Sequence, residues 1–133
     1  MDYRYEFVDG PFQVIVTTAG KADGDAIAEG RHRVWTDPRF RPEMNILVDH
    51  TLLDMSDRTA DDLRMSAASA SRDPAEAGTG YIALVCPSPL QFGLARMYHA
   101  FATGPLGERL VVVDSVDEAY RWLAERQSEQ AHR

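Results

Sequence analysis

The sequence predicts an α/β fold: an N-terminal β-hairpin, then successive helix–strand units forming a mainly parallel five-stranded sheet with four main helices. Three observations lead there. Residues 3–8 alternate around Tyr3, Tyr5 and Phe7, and residues 12–18 alternate through Phe12, Val14 and Val16; the turn signal Asp9-Gly10-Pro11 lies between them. Further short apolar runs recur at Ile46-Leu47-Val48, 81–86 and 110–113, too continuous for strands with one wet face. Segments with helical spacing and cap residues separate and follow them. Strands alternating with helices call for right-handed crossovers and parallel pairing, with the first strand as an antiparallel edge. The 133 residues suit one domain over 1–133, with a polar tail from about 127.

In order, residues 19–24 read as a loop after the hairpin. From Asp25 to about Trp35, Ile27, Gly30 and Val34 share a helical face, with Asp23 or Asp25 as cap and Thr36-Asp37-Pro38 as the stop. The loop DPRFRPEM alternates Arg39 and Arg41 with Phe40, which is expected to plug the core edge. Ile46-Leu47-Val48 is the third strand, and an acidic loop is expected after it. A helix from about Thr59 to Ala70 follows, with a capping box of Thr59 and Asp62 and a thin apolar face of Leu63, Ala67 and Ala70. Arg72-Asp73-Pro74 stops it, and Ala77-Gly78-Thr79-Gly80 is a turn before the fourth strand. Ser88 and Pro89 open the next helix. Leu90, Leu94, Met97 and Phe101 form one stripe and Phe92, Ala95, Tyr98 and Ala102 a second, so either the helix is deeply buried or one stripe meets a partner. Gly104-Pro105-Leu106-Gly107 reads as its end. After the fifth strand, Ser115 and Glu118 cap a last helix whose face carries Val116, Ala119, Tyr120 and Leu123.

Composition narrows the function classes. Net charge is −7, with no basic stripe to displace counterions from a nucleic acid. No apolar run is long enough for a transmembrane segment. The single cysteine excludes an internal disulfide, and the start MDYRYEF has no export pattern, so a cytoplasmic location is expected. Lys21 is the only lysine, and AGKADGD matches no phosphate loop.

The acids around residues 49–62 invite chemistry, but each has a plain alternative. Asp49, Asp54 and Asp57 are the residue type that holds Mg²⁺, yet the accompanying acid pair and late lysine of a phosphoacceptor receiver are missing. Asp49 and His50 are neighbours and would face opposite ways on a strand. No nucleophile context accompanies them, and the four histidines lack metal-ligand spacing, so no catalytic residue, cofactor or metal is assigned. Asp49, His50, Thr51, Asp54, Ser88 and Arg96 could line a crevice at the carboxyl ends of strands. Cys86, between an apolar strand and Pro87, reads as a buried structural thiol.

The element order, with VDHTLLDMSD after the third strand, resembles the STAS domain, the fold of anti-sigma-factor antagonists. The stretches DPRFRPEMNILVDH, GLARMYHAF and DEAYRWL resemble more closely the SpoIIAA-like, or STAS/SEC14-type, family of small bacterial proteins. The resemblance spans nearly the whole chain as an order of elements. It implies a phosphoacceptor serine at Ser56, within Asp54-Met55-Ser56-Asp57, where Met55 replaces a small residue and Asp57 a glycine. A phosphate at a helix start would meet unpaired amides, though Asp54, Asp57, Asp61 and Asp62 would repel it.

Three functions are therefore expected in turn. The first is a non-enzymatic STAS-like interaction or regulatory module, a homodimer or protein-binding unit using Phe92 and Tyr98. The second is a carrier of a small apolar ligand in a SEC14-like manner, which needs a cavity between helices and sheet. The third is an enzyme with a site near Asp49–Ser56, which needs converging polar groups there.

Overall fold

Alternation in the first 18 residues becomes a hairpin. The computed structural model describes residues 1–72 and 78–132. Strand β1 (Asp2–Phe7) pairs antiparallel with β2 (Val14–Lys21), Phe7 opposite Val14. Strands β3 (Ile46–Asp54), β4 (Ile82–Val85) and β5 (Leu110–Val113) then add in parallel, giving the order β1-β2-β3-β4-β5. Five helices are described: α1 (Gly24–Trp35), α2 (Ala60–Arg72), α3 (Pro89–Phe101), α4 (Gly104–Arg109) and α5 (Val116–Ala131).

Each parallel strand is laid down on the same side of its predecessor, and right-handed crossovers then bring their helices to one face of the sheet. That face carries Val14, Val16, Ile46, Ile82, Leu84 and Leu110 and packs against Val34, Ala70, Ala95 and Leu106 of α1 to α4. The last helix, with no strand to follow, covers the other face: Ala119 and Leu123 of α5 meet Phe12, Leu47, Ala83, Val85 and Val113.

Caps fix the helix starts. Asp23 accepts hydrogen bonds from the amides of Asp25 and Ala26. Thr59 and Asp62 form a reciprocal box: the Asp62 amide donates to the Thr59 hydroxyl at 3.1 Å, and the Thr59 amide to the Asp62 carboxylate at 2.9 Å. Gly30 brings α1 against β1, since a Cβ there would lie 2.3 Å from Cγ of Tyr3. Asn45 ties the start of β3 to both neighbours, accepting from the Tyr81 amide at 2.8 Å and donating to the Pro11 carbonyl at 3.0 Å. In the loop before it, Asp37 accepts from the Arg39 amide and guanidinium and from the Tyr5 hydroxyl. The Arg39 guanidinium holds the Asp37 carboxyl well below the usual carboxylate range.

The structure corrects several sequence expectations. β2 continues through Ala19–Lys21, and β3 runs to Asp54 where an acidic loop was expected after Val48. The two strands extend together, Ala19 opposite Leu52 and Lys21 opposite Asp54, past the end of β4. Polar residues are tolerated there because Lys21, Thr51 and Asp54 are exposed, while His50 and Leu53 of the same stretch are buried. Gly104 to Gly107 do not simply end α3: Gly104 takes φ 62°, and Pro105 stands in the first turn of a further short helix, α4. α5 is helical through Ala131, and Gln130 near its end donates to the Tyr81 hydroxyl at 2.7 Å. The expected stop at Asp73-Pro74, the Ala77 end of the following turn, and Arg133 lie outside the described residues.

Candidate functional site

Between the sheet and α1, α2 and α3 lies a cavity of about 470 Å³. Its floor is the helix-covered sheet face, including Val16, Val48 and Leu84; Ile27 and Val34 of α1, Leu63 of α2 and Tyr98 of α3 make the walls. Small side chains on the helices, Ala28, Ser66 and Ala95, leave the volume unfilled. The lining residues most open to solvent, Asp23, Asp25, Met65 and Ser69, belong to the start of α1 and to α2, so the mouth opens between those helices. Arg31, Arg58 and Asp62 stand half-buried along it, and Arg58 donates to the Ser66 hydroxyl at 2.8 Å.

His50 brings a polar side chain to the wall of the cavity. The pairing of β2 with β3 slips between Thr17 opposite Asp49 and Ala19 opposite Leu52, so His50 and Thr51 together oppose Thr18. This is a β-bulge, rare in parallel pairs, which re-aims the bulged strand. Before it, Ile46, Val48 and His50 face the cavity; after it, Leu53 and Met55 do. His50 is only 8 % exposed. Its Nδ1 lies 2.7 Å from the buried Thr18 hydroxyl, which in turn lies 3.3 Å from the Asp49 carbonyl oxygen. A hydroxyl has one hydrogen; with it donated to the carbonyl, Thr18 accepts from Nδ1–H, and we assign the ring's remaining lone pair to Nε2. Nε2 makes no hydrogen bond to a described residue. Burial pushes the imidazole down to about 4, so the ring is neutral at pH 7.

The overhang of β3 beyond β4 leaves backbone carbonyls without a strand partner, and Gln91 supplies one. Its Nε2 donates to the carbonyl oxygens of His50 at 2.8 Å and Leu53 at 2.9 Å. Its Oε1 accepts from the Ser88 amide, and its own amide donates to the Ser88 hydroxyl, both at 3.1 Å. One buried glutamine thus caps α3 and completes the sheet above the cavity.

The remaining sequence candidates fall as follows. Asp49 accepts from both the amide and the hydroxyl of Thr51, which is exposed. Asp54 accepts from the Ser56 amide at 2.9 Å, and bonds from Ser56 hold its carboxyl below the ordinary range. Ser56 is exposed in the turn after β3, three residues ahead of the Thr59 cap of α2. Lys21 pairs with Asp57 next to it. Ser88 is the α3 cap, and Arg96 is exposed with its guanidinium 5.9 Å from the Phe92 ring centroid. Of the expected crevice residues, His50 alone lines the cavity. Phe92 and Tyr98 are half-buried against the core; the large apolar side chains that α3 exposes are Leu90 and Met97. Among the described residues no three His, Cys, Asp or Glu side chains gather as metal ligands would, and no helix is long and apolar enough to cross a membrane.

Sequence reasoning missed Gln91, and it named a cavity between helices and sheet only as the condition of the carrier reading. Ser88-Pro-Leu-Gln91 carries the capping-box spacing, which pointed to the cap but not to the bond across to β3. The alternation Ile46, Val48, His50 already put the histidine on the core face once the strand was extended.

Structural comparison matches the chain to the crystal structure of an uncharacterized protein of the DUF3478 family with a SpoIIAA-like fold from Shewanella loihica PV-4. The TM-score is 0.53 at 19 % sequence identity, over 92 % of each chain. The chain has a SpoIIAA-like fold, in agreement with the resemblance carried by its sequence. No family model matches the sequence, and no curated protein matches it.

Proposed function

We propose that the protein binds a small apolar molecule between its sheet and α1 to α3. The cavity of about 470 Å³ carries this reading: its size falls in the range of small-molecule sites, and its floor and inner walls are apolar, with the charged side chains gathered at its mouth. Nothing about a fold alone assigns a function; support comes from a space between helices and sheet that a tightly filled core would lack. The test is titration with N-phenyl-1-naphthylamine, which brightens in apolar surroundings, on wild type and on Ala95→Phe and Val48→Phe. Saturable binding to wild type, weakened at least about tenfold in a variant with native circular dichroism, supports the reading. Unchanged binding in both folded variants overturns it.

A second reading is a STAS-like module acting through another protein or a second copy of itself. It draws on the outer face of α3, where Leu90 is 52 % exposed and Met97 is exposed too, and on Leu52, 68 % exposed at the end of β3. Solution mass measured over a range of concentrations, on wild type and on Leu90→Asp with Met97→Asp, tests it. A dimer that the folded variant loses supports it, and a monomer throughout removes the homodimer.

A further inference from the structure

We infer that the occupant of the cavity is an apolar molecule carrying a hydroxyl group, an alcohol rather than a carboxylic acid or a hydrocarbon, and that Nε2 of His50 accepts its hydrogen bond. The inference deepens the ligand-binding reading and rests on it.

The argument starts from the bulge. Two β3 residues opposite one β2 residue turn His50 toward the cavity and bring its Nδ1 to the Thr18 hydroxyl at 2.7 Å. That hydroxyl also lies 3.3 Å from the Asp49 carbonyl oxygen, which can only accept; with the Thr18 hydrogen assigned to that carbonyl, Nδ1 carries the ring hydrogen and donates to Thr18. The nitrogen left over is an acceptor on a side chain that is more than nine-tenths buried and lines the cavity. It faces the cavity without a bond to a described residue, so a ligand donor there gains a hydrogen bond that an apolar group of the same size cannot make.

The same geometry discriminates between head groups. A hydroxyl donates to Nε2 and is neutral. An ionised carboxylate has no hydrogen to give and would set its charge against a lone pair in an apolar interior, where an unpaired ion is very unfavourable. The ring is neutral at pH 7 and supplies no countercharge. Arg31 and Arg58 at the mouth share it with Asp23, Asp25 and Asp62, so the entrance is of mixed sign rather than an anion funnel. A hydrocarbon fits the walls and leaves Nε2 unmet.

The experiment uses three probes of matched body on the purified full chain: 1-octanol, its methyl ether and octanoate, each competed against N-phenyl-1-naphthylamine. In wild type, 1-octanol should bind about tenfold more tightly than the ether, the worth of one hydrogen bond to a buried acceptor. Octanoate should bind more weakly than either. In His50→Leu the alcohol and ether should become equal. Thr18→Val gives a milder control: it removes the hydroxyl that fixes the tautomer, and a ring free to carry its hydrogen on Nε2 serves the ether oxygen as well, so the ratio should again shrink. Equal binding of alcohol and ether to wild type overturns the inference while leaving the cavity reading intact, and so does a preference for octanoate. Failure of all three probes and of the dye to bind wild type overturns both.

Discussion

The side-chain amide of Gln91 lies 2.8 Å from the carbonyl oxygen of His50, forty-one residues away in sequence, and holds the first turn of α3 against the overhanging end of β3. The donor atom is what this position needs. Gln91→Glu keeps the size and the cap acceptor but sets a carboxylate against the carbonyls of His50 and Leu53. We expect a loss of about 3 kcal/mol or more at neutral pH, the cost of a buried charge left without its partner. Urea unfolding at pH 7 and pH 5 checks this, because protonation restores a donor and the defect should shrink at the lower pH.

His50 gives the molecule a pH signature. Its folded value, about 4, is below the ordinary value near 6.5, so below pH 6.5 the unfolded chain takes up a proton that the folded chain refuses. Stability from this group is complete above pH 6.5 and is lost as pH falls toward 4, by about 3 kcal/mol in all. Carboxylates also titrate in the lower half of that window. The clean measurement is therefore the slope of stability between pH 6.5 and 5, which should be steeper in wild type than in His50→Gln.

Gly30 is where α1 rests on β1. Gly30→Ala would place a methyl group 2.3 Å from the Tyr3 ring, and the ring would have to move. The expected loss is about 1–3 kcal/mol, the usual cost of overpacking. Thermal unfolding of Gly30→Ala, alone and with Tyr3→Ala, checks it: the double variant should not pay the clash twice, and additivity of the two losses would refute the contact.

Cys86 is fully buried, and desolvation pushes its thiol up to about 12. At pH 8 its thiolate population should be roughly a thousandfold below that of an ordinary thiol. Reaction with a disulfide reagent should therefore proceed at the rate of unfolding. Immediate labelling of the native protein would contradict the assignment.

The fold was legible because its signals are local and repeated. Alternation gave β1 and β2, continuous apolar runs gave the cores of β3, β4 and β5, and the pairs Thr59/Asp62 and Ser115/Glu118 marked helix starts that the structure forms with hydrogen bonds. The site was much less legible. Its volume is a deficit, the space left by Ala28, Ser66 and Ala95, and a deficit has no residue of its own. The bulge at His50 depends on how β2 and β3 register, which no single strand encodes. For the same reason the aromatic stripe of α3 read equally well as interface or core, and only packing sends Phe92 and Tyr98 inward and leaves Leu90 and Met97 outside.

The covering of the sheet by several helices on one face and a single helix on the other also sorts the fluorophores. Trp35, at the end of α1, packs with the cluster on the cavity side; Trp122, in α5, stacks edge-on against Tyr81 on the far side at 5.3 Å. Intrinsic emission therefore carries two spatially separate reporters. With Trp122→Phe the remaining signal watches the cavity side, and with Trp35→Phe it watches the back of the sheet. A guest entering between α1 and α2 should change the colour of the first and leave the second dark to its arrival.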